Sequence, residues 1–211
     1  MMACWKRSAG LAIVVLSTLG AFACSQPDQK TDTATTGTTG SAPTVKADKP
    51  FAPGGAITLQ LSAGSYDVRA AADDRIRVTL SGNIGDTKVD VTTAEGHAEV
   101  VVKETPHNNF HALIELPAAS DLVTNLTAGE LTVAAITGNK QIDSNAGNVT
   151  VDIADPNAYA EVDASLKAGD IQAEPFGGSK SGVLPHFTWS GPGKYKLHAS
   201  LGAGNLVLRK S

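Results

Sequence analysis

From Ala56 onward, apolar and polar residues alternate with a period of two. Ile57, Leu59 and Leu61 are separated by Thr58 and Gln60, and Ile76, Val78 and Leu80 by Arg77 and Thr79. Tyr66 and Val68, Val89 and Val91, then Ala98, Val100 and Val102 continue the pattern, as do Ala112, Ile114 and Leu116. It resumes at Leu131 and Val133, at Val149, Val151 and Ile153, and at Ile171 and Ala173. Phe187 and Trp189, Tyr195 and Leu197, and Leu206 and Leu208 close the series. Successive side chains of a strand point to opposite faces, so each segment has one face for a core and one for water. No segment carries a convincing i, i+3, i+4, i+7 stripe. The pattern predicts an all-β body of about fourteen short strands.

A repeat lies over the alternation. Ala-Gly-polar-apolar-x-apolar begins at Ala63, Ala128, Ala146, Ala168 and Ala203, and the three central copies start 18 and 22 residues apart. A fixed turn feeding a strand at near-regular spacing is the signature of stacked coils, none of which buries its apolar side alone. The glycine supplies a positive-φ turn or a close backbone approach. The expectation is a β-solenoid-like stack, with a β-sandwich of hairpins as the alternative. Residues 174–194 interrupt the repeat and read as an insertion or wide turn.

Leu116-Pro117, then Ser120-Asp121-Leu122, then the Ala-Gly copies resemble the bacterial "putative adhesin" domain of unknown function. The resemblance covers roughly residues 56–209. It implies stacked β-repeats of the kind found in exported and envelope-stress proteins, and it implies little about activity.

Composition narrows the picture. Aromatic residues are only 5%, so the core must be built from Val, Ile, Leu and Ala. The formal charge is -4, and without Lys6 and Arg7 there remain 15 basic against 21 acidic residues. No basic patch is visible, which argues against nucleic acid and anionic lipid headgroups as partners. The cysteines are Cys4 and Cys24, so the body has neither a disulfide nor a thiolate metal site.

The N-terminus reads as an address. Lys6 and Arg7 precede an apolar run, Leu11 to Leu19, and then Ala21, Phe22, Ala23 and Cys24. Residues 1–23 are expected to be a signal peptide. The apolar run is shorter than the ~20 residues a membrane span takes. Ala21-Phe22-Ala23 also fits ordinary signal peptidase, while the cysteine that follows resembles a lipobox with Ala21 where leucine is usual and Phe22 where a small residue is usual. Lipidation of Cys24 is the favoured reading, since several acyl chains give stable anchoring. Ser25 in place of Asp, by resemblance to enterobacterial lipoproteins, implies outer-membrane sorting. Residues 24–50 are then the lipidated cysteine and a disordered Thr/Ser/Pro/Gly-rich linker reaching roughly 30 Å, and 51–211 the β-repeat domain.

Candidate chemistry is sparse. His107 and His111 have a metal-like spacing, but Pro106 before them and a strand after them favour loop histidines. The polar residue after each repeat glycine (Ser65, Glu130, Asn148, Asp170, Asn205) offers a ladder for Ca²⁺ or glycan, set against simple turn capping. Gly177 to Gly182 lacks the phosphate-loop order and reads as a flexible loop. Phe187, Trp189 and Tyr195 either cap the core or form an aromatic patch. No catalytic residue, cofactor or metal is predicted. The expected function is a non-enzymatic, lipid-anchored envelope protein that binds an envelope protein or glycan. The alternatives are an envelope-stress sensor, or a polysaccharide-active enzyme with Asp73, Asp74, Asp152 and Asp155 as its nearest carboxylates.

Overall fold

The computed structural model describes residues 41–211, Ala135 excepted. The readings on the export signal and on Cys24 lie outside the described residues. The strands are β1 (Ser41–Pro50), β2 (Ala56–Leu61), β3 (Gly64–Ala70), β4 (Arg75–Gly82), β5 (Lys88–Ala94), β6 (His97–Lys103) and β7 (Phe110–Leu116). They continue with β8 (Asp121–Ala134), β9 (Lys140–Ile153), β10 (Tyr159–Ala173), β11 (Gly178–Val183), β12 (His186–Ser190) and β13 (Tyr195–Lys210). The body is all-β, as the alternation predicts, and β2, β4 and β7 alternate buried and half-buried residue by residue.

Four strands, β8, β9, β10 and β13, are 14 to 16 residues long. Each carries one Ala-Gly near its middle, where the glycine takes a φ between 118° and 134°. The strand turns a corner there and its two halves join different faces. One face runs β1-β4-β7-β3-β8-β9-β13-β10-β11. The other adds β5, β6 and β2 at one side and β12 at the other. The central rungs are parallel, and antiparallel strands finish the stack at β4 and β1, at β5, and at β11 and β12. This is the stacked arrangement, with hairpin-like closures at its ends.

The inward residues of both faces form one core, including Ile57, Leu59, Val100, Leu122, Leu131, Ile142, Val149, Ile171 and Leu206, all 1% exposed or less. Each such side chain contributes about 1.5–3 kcal/mol by leaving water. Phe176 closes the edge opposite the corner. Its ring lies 4.8 Å from Trp189 and 5.9 Å, perpendicular, from Tyr159, which packs edge-on to Tyr195. Phe187 is buried and Trp189 packs against the core, so these aromatics occupy the capping role.

Three sequence readings change. Residues 41–50, assigned to the disordered linker, form β1, which pairs antiparallel with β4. A segment with few apolar residues is held there by backbone hydrogen bonds along a sheet edge and by Asp48, whose carboxylate accepts from Arg75 at 2.5 Å. The Arg75 bond holds the Asp48 pKa below its ordinary value. Residues 174–194 are not a loose insertion: β11 and β12 run back along β10 as the last coil, and Gly178–Val183 is a strand where a flexible loop is expected. The spatial order of the copies is not their order along the chain: β13 lies between β9 and β10, parallel to both.

The Leu-Pro and Ser-Asp-Leu phrase has a structural use. The buried Ser120 hydroxyl donates to the Pro117 carbonyl at 3.0 Å. Asp121 accepts from the Asn139 backbone at 2.8 Å, and the Asn139 side chain accepts from the Lys196 amide at 2.9 Å, so one polar chain starts three adjacent rungs.

Candidate binding surface

The five repeat glycines form a single column in the order Gly64, Gly129, Gly147, Gly204, Gly169. A β-carbon on Gly129, Gly147, Gly204 or Gly169 would run into the carbonyl oxygen of the neighbouring glycine. The backbones approach too closely for any other residue, and the corner must therefore be glycine at every central rung.

The residues around this column project as rows. Ser65, Glu130, Asn148, Asn205 and Asp170 are cross-strand neighbours, and the Asn205 amide donates to Asn148 Oδ1 at 2.9 Å. The ladder read from the sequence is real, in the interleaved order. Four residues before each glycine a second row forms from Gln60, Asn125, Asp143, Ser200 and Ser165. Between the rows, Ser62, Thr127, Asn145, Gly202 and Lys167 sit at the turn itself.

Beneath them runs an inward column of Leu61, Leu126, Leu201 and Leu166, broken on the β9 rung by Ser144. Ser144 is 6% exposed and its hydroxyl donates to the Ala146 carbonyl at 3.3 Å. Two adjoining hollows open along this corner. One, of about 360 Å³, includes Gln60, Ser62, Lys103, Asn125 and Thr127 in its lining. The other, of about 310 Å³, includes Ser144, Lys167, Ser200 and Gly202. Asp143 and Asn145 line both, so the β9 corner is the centre of one trough.

The remaining candidates separate. His111 lies on β7, where its Nε2 is 3.0 Å from Asp67 Oδ2 and its Nδ1 is 3.3 Å from the Ser81 hydroxyl. His107 lies in the preceding loop beside Pro106 and Phe110, lining a different hollow. Among the described residues, no group of three or more His, Cys, Asp or Glu is arranged to hold a metal ion. Asp73 binds Arg77 at 2.9 Å, Asp152 binds Arg209 at 2.6 Å, and Asp155 caps a short turn by accepting from the Asn157 amide at 2.9 Å. These carboxylates are engaged in the frame rather than gathered in a groove.

Sequence reasoning passed over Lys140. It occupies an inward position of β9 and is 2% exposed. Its ammonium donates to the Tyr159 hydroxyl at 2.9 Å and to the Gly138 carbonyl at 3.3 Å. Burial pulls its pKa down to about 8, against the attraction of Asp121, and burial pushes Tyr159 up to about 12. The legible signal was the alternation itself, which puts Lys140, Ile142 and Ser144 on one side. Ser144 was also legible, as the departure from Leu-x-Ala-Gly in the other four copies.

No protein-family model and no curated protein sequence matches the chain. Among solved structures, one from Clostridium sporogenes, described as a "putative cell adhesion protein", is similar over 81% of this chain and all of its own, with a TM-score of 0.51 at 14% identity. A "putative adhesin" from Parabacteroides distasonis aligns over 53% of this chain and 57% of its own, with a TM-score of 0.26 at 12% identity. Another from Bacteroides fragilis aligns over 80% and 97%, with a TM-score of 0.26 at 8% identity. At these identities the first likeness speaks for the fold alone: the chain shares the stacked all-β architecture of the Clostridium protein.

Proposed function

We propose that this chain is an exported, non-catalytic binding protein of the cell envelope, anchored by lipid on Cys24 and adhering through the polar corner of its β-stack. One observation carries the reading: five rungs present aligned rows of amide, hydroxyl and carboxylate side chains along a rigid glycine column, with a trough at their centre. Preorganised polar groups in a concavity lose little entropy when they bind. The description of the Clostridium protein as an adhesion protein agrees with this reading. The export layout ending at Cys24 supports an envelope location facing the periplasm or the surface, and the Ser after it supports the outer membrane.

Two experiments test this. Cells expressing the full chain are fed a clickable palmitate; the wild type is expected to be labelled and Cys24→Ser unlabelled, and an unlabelled wild type would sink the anchor. Purified Cys24→Ser chain is then incubated with isolated envelopes. Capture that Asn145→Arg abolishes supports the corner as the binding surface, and capture indifferent to that change argues against it.

A further inference from the structure

We infer that the trough binds a hydroxyl-rich glycan strand lying along the stack, an inference that rests on the binding reading above and names its ligand. The first reason is spacing. The rungs repeat at about 4.8 Å, so the corner offers equivalent groups at regular intervals, a surface suited to a polymer of repeating units. The second is chemistry. Asn125, Asn145 and Asp143 present planar groups that donate to or accept from neighbouring hydroxyls in pairs, and Thr127 and Ser200 add hydroxyls.

The third reason excludes a peptide. Protein partners dock on apolar anchors, and the aliphatic side chains under this trough, Leu61, Leu126 and Leu201, are at most 3% exposed. Of the described large hydrophobics that are exposed, Val45 lies on β1, while Val183 and Leu184 lie where β11 meets the β10 end of the corner, the Leu184 amide donating to the Lys167 carbonyl; none of the three lines the trough. Strand addition is also closed there, because β8, β9 and β13 are paired on both sides.

Ser144 is the fourth reason, and it is independent of the rest. Four of five rungs place leucine at this position, where it fills the core. On the central rung a buried hydroxyl replaces it at the floor of the trough, at a cost in apolar burial. Departures from a repeat's own rule mark functional positions. The missing side chain of Gly202 leaves the floor open beside Asn145, whose carbonyl a β-carbon there would meet.

The test is calorimetric titration of the full-length Cys24→Ser chain with chitotetraose, cellotetraose and maltotetraose, alongside Ser144→Leu and Asn145→Ala. Binding of at least one tetrasaccharide is expected. Both variants should weaken it about tenfold or more, while Ser144→Leu, which restores the leucine column, keeps or raises the thermal midpoint of its parent. Asn145→Ala changes an exposed residue and gives the same readout should Ser144→Leu misfold. No binding of any of the three sugars, or binding that both variants leave intact, overturns the inference. Corner-dependent envelope capture without sugar binding would overturn the glycan and leave the binding surface standing.

Discussion

Gly147 stands over the carbonyl oxygen of Gly129 with no room for a β-carbon between them, at a φ of 128°. Gly147→Ala must move two rungs apart and adopt a backbone conformation that alanine avoids, so it is expected to cost about 3 kcal/mol or more. Gly96 has a φ of 72° but open space around it, and Gly96→Ala should cost only about 1 kcal/mol. Urea denaturation of the two variants measures the difference. Equal losses would mean that the column does not set the corner.

Lys140 gives the body a pH signature. Its folded pKa of about 8 lies below the ordinary 10.5, so between these values the unfolded chain holds a proton that the folded chain has released. Stability therefore rises with pH across that window, by about 3 kcal/mol if Lys140 acted alone. Below pH 8 both states are charged and the burial penalty is present in full. Tyr159 works the other way above pH 10, because its folded pKa is raised to about 12 and the unfolded chain ionises first. Denaturation curves from pH 7 to 10 should show the rise, and Lys140→Met should flatten it. A rise unchanged in Lys140→Met would place its origin elsewhere.

Phe176 is 7% exposed and joins Tyr159 to Trp189 across the edge opposite the corner. Phe176→Ala removes that bridge and should cost about 3–4 kcal/mol. Thermal unfolding of the variant provides the check, and a loss within 0.5 kcal/mol, roughly what an open surface site gives, would show that the edge is not packed by this ring.

The boundary at residue 41 is testable without mutation. Amides of β1 that bond to β4 should be protected in hydrogen exchange at pH 7, since strand pairing shields them. Exchange at the rate of an unstructured peptide throughout 44–50 would restore the linker reading.

What was legible in the sequence was the part governed by local periodicity. Alternation at Ile57–Leu61 or Phe110–Leu116 fixes a strand's buried side wherever its partner lies. The Ala-Gly copies announced the corner because close backbone approach admits one residue type. Spatial order was not legible. Ala203-Gly204-Asn205 reads like any other copy, and only tertiary pairing inserts it between the copies at 147 and 169. β1 was hidden because an edge strand needs backbone bonds more than apolar side chains, and Val45 remains 57% exposed within it. The trough was half legible: the rows followed from the repeat, whereas the hollow depends on Gly202 and Ser144 meeting on neighbouring rungs.

The assignment of a glycan to the trough is tested most directly by backbone amide chemical-shift mapping of the isotope-labelled chain as solubilised envelope polysaccharide is added. Shifts should concentrate on residues 125–127, 143–145 and 200–202. Shifts confined to β1 around Val45 or to the aromatic edge at Phe176 and Trp189, or no shifts at all, would contradict it.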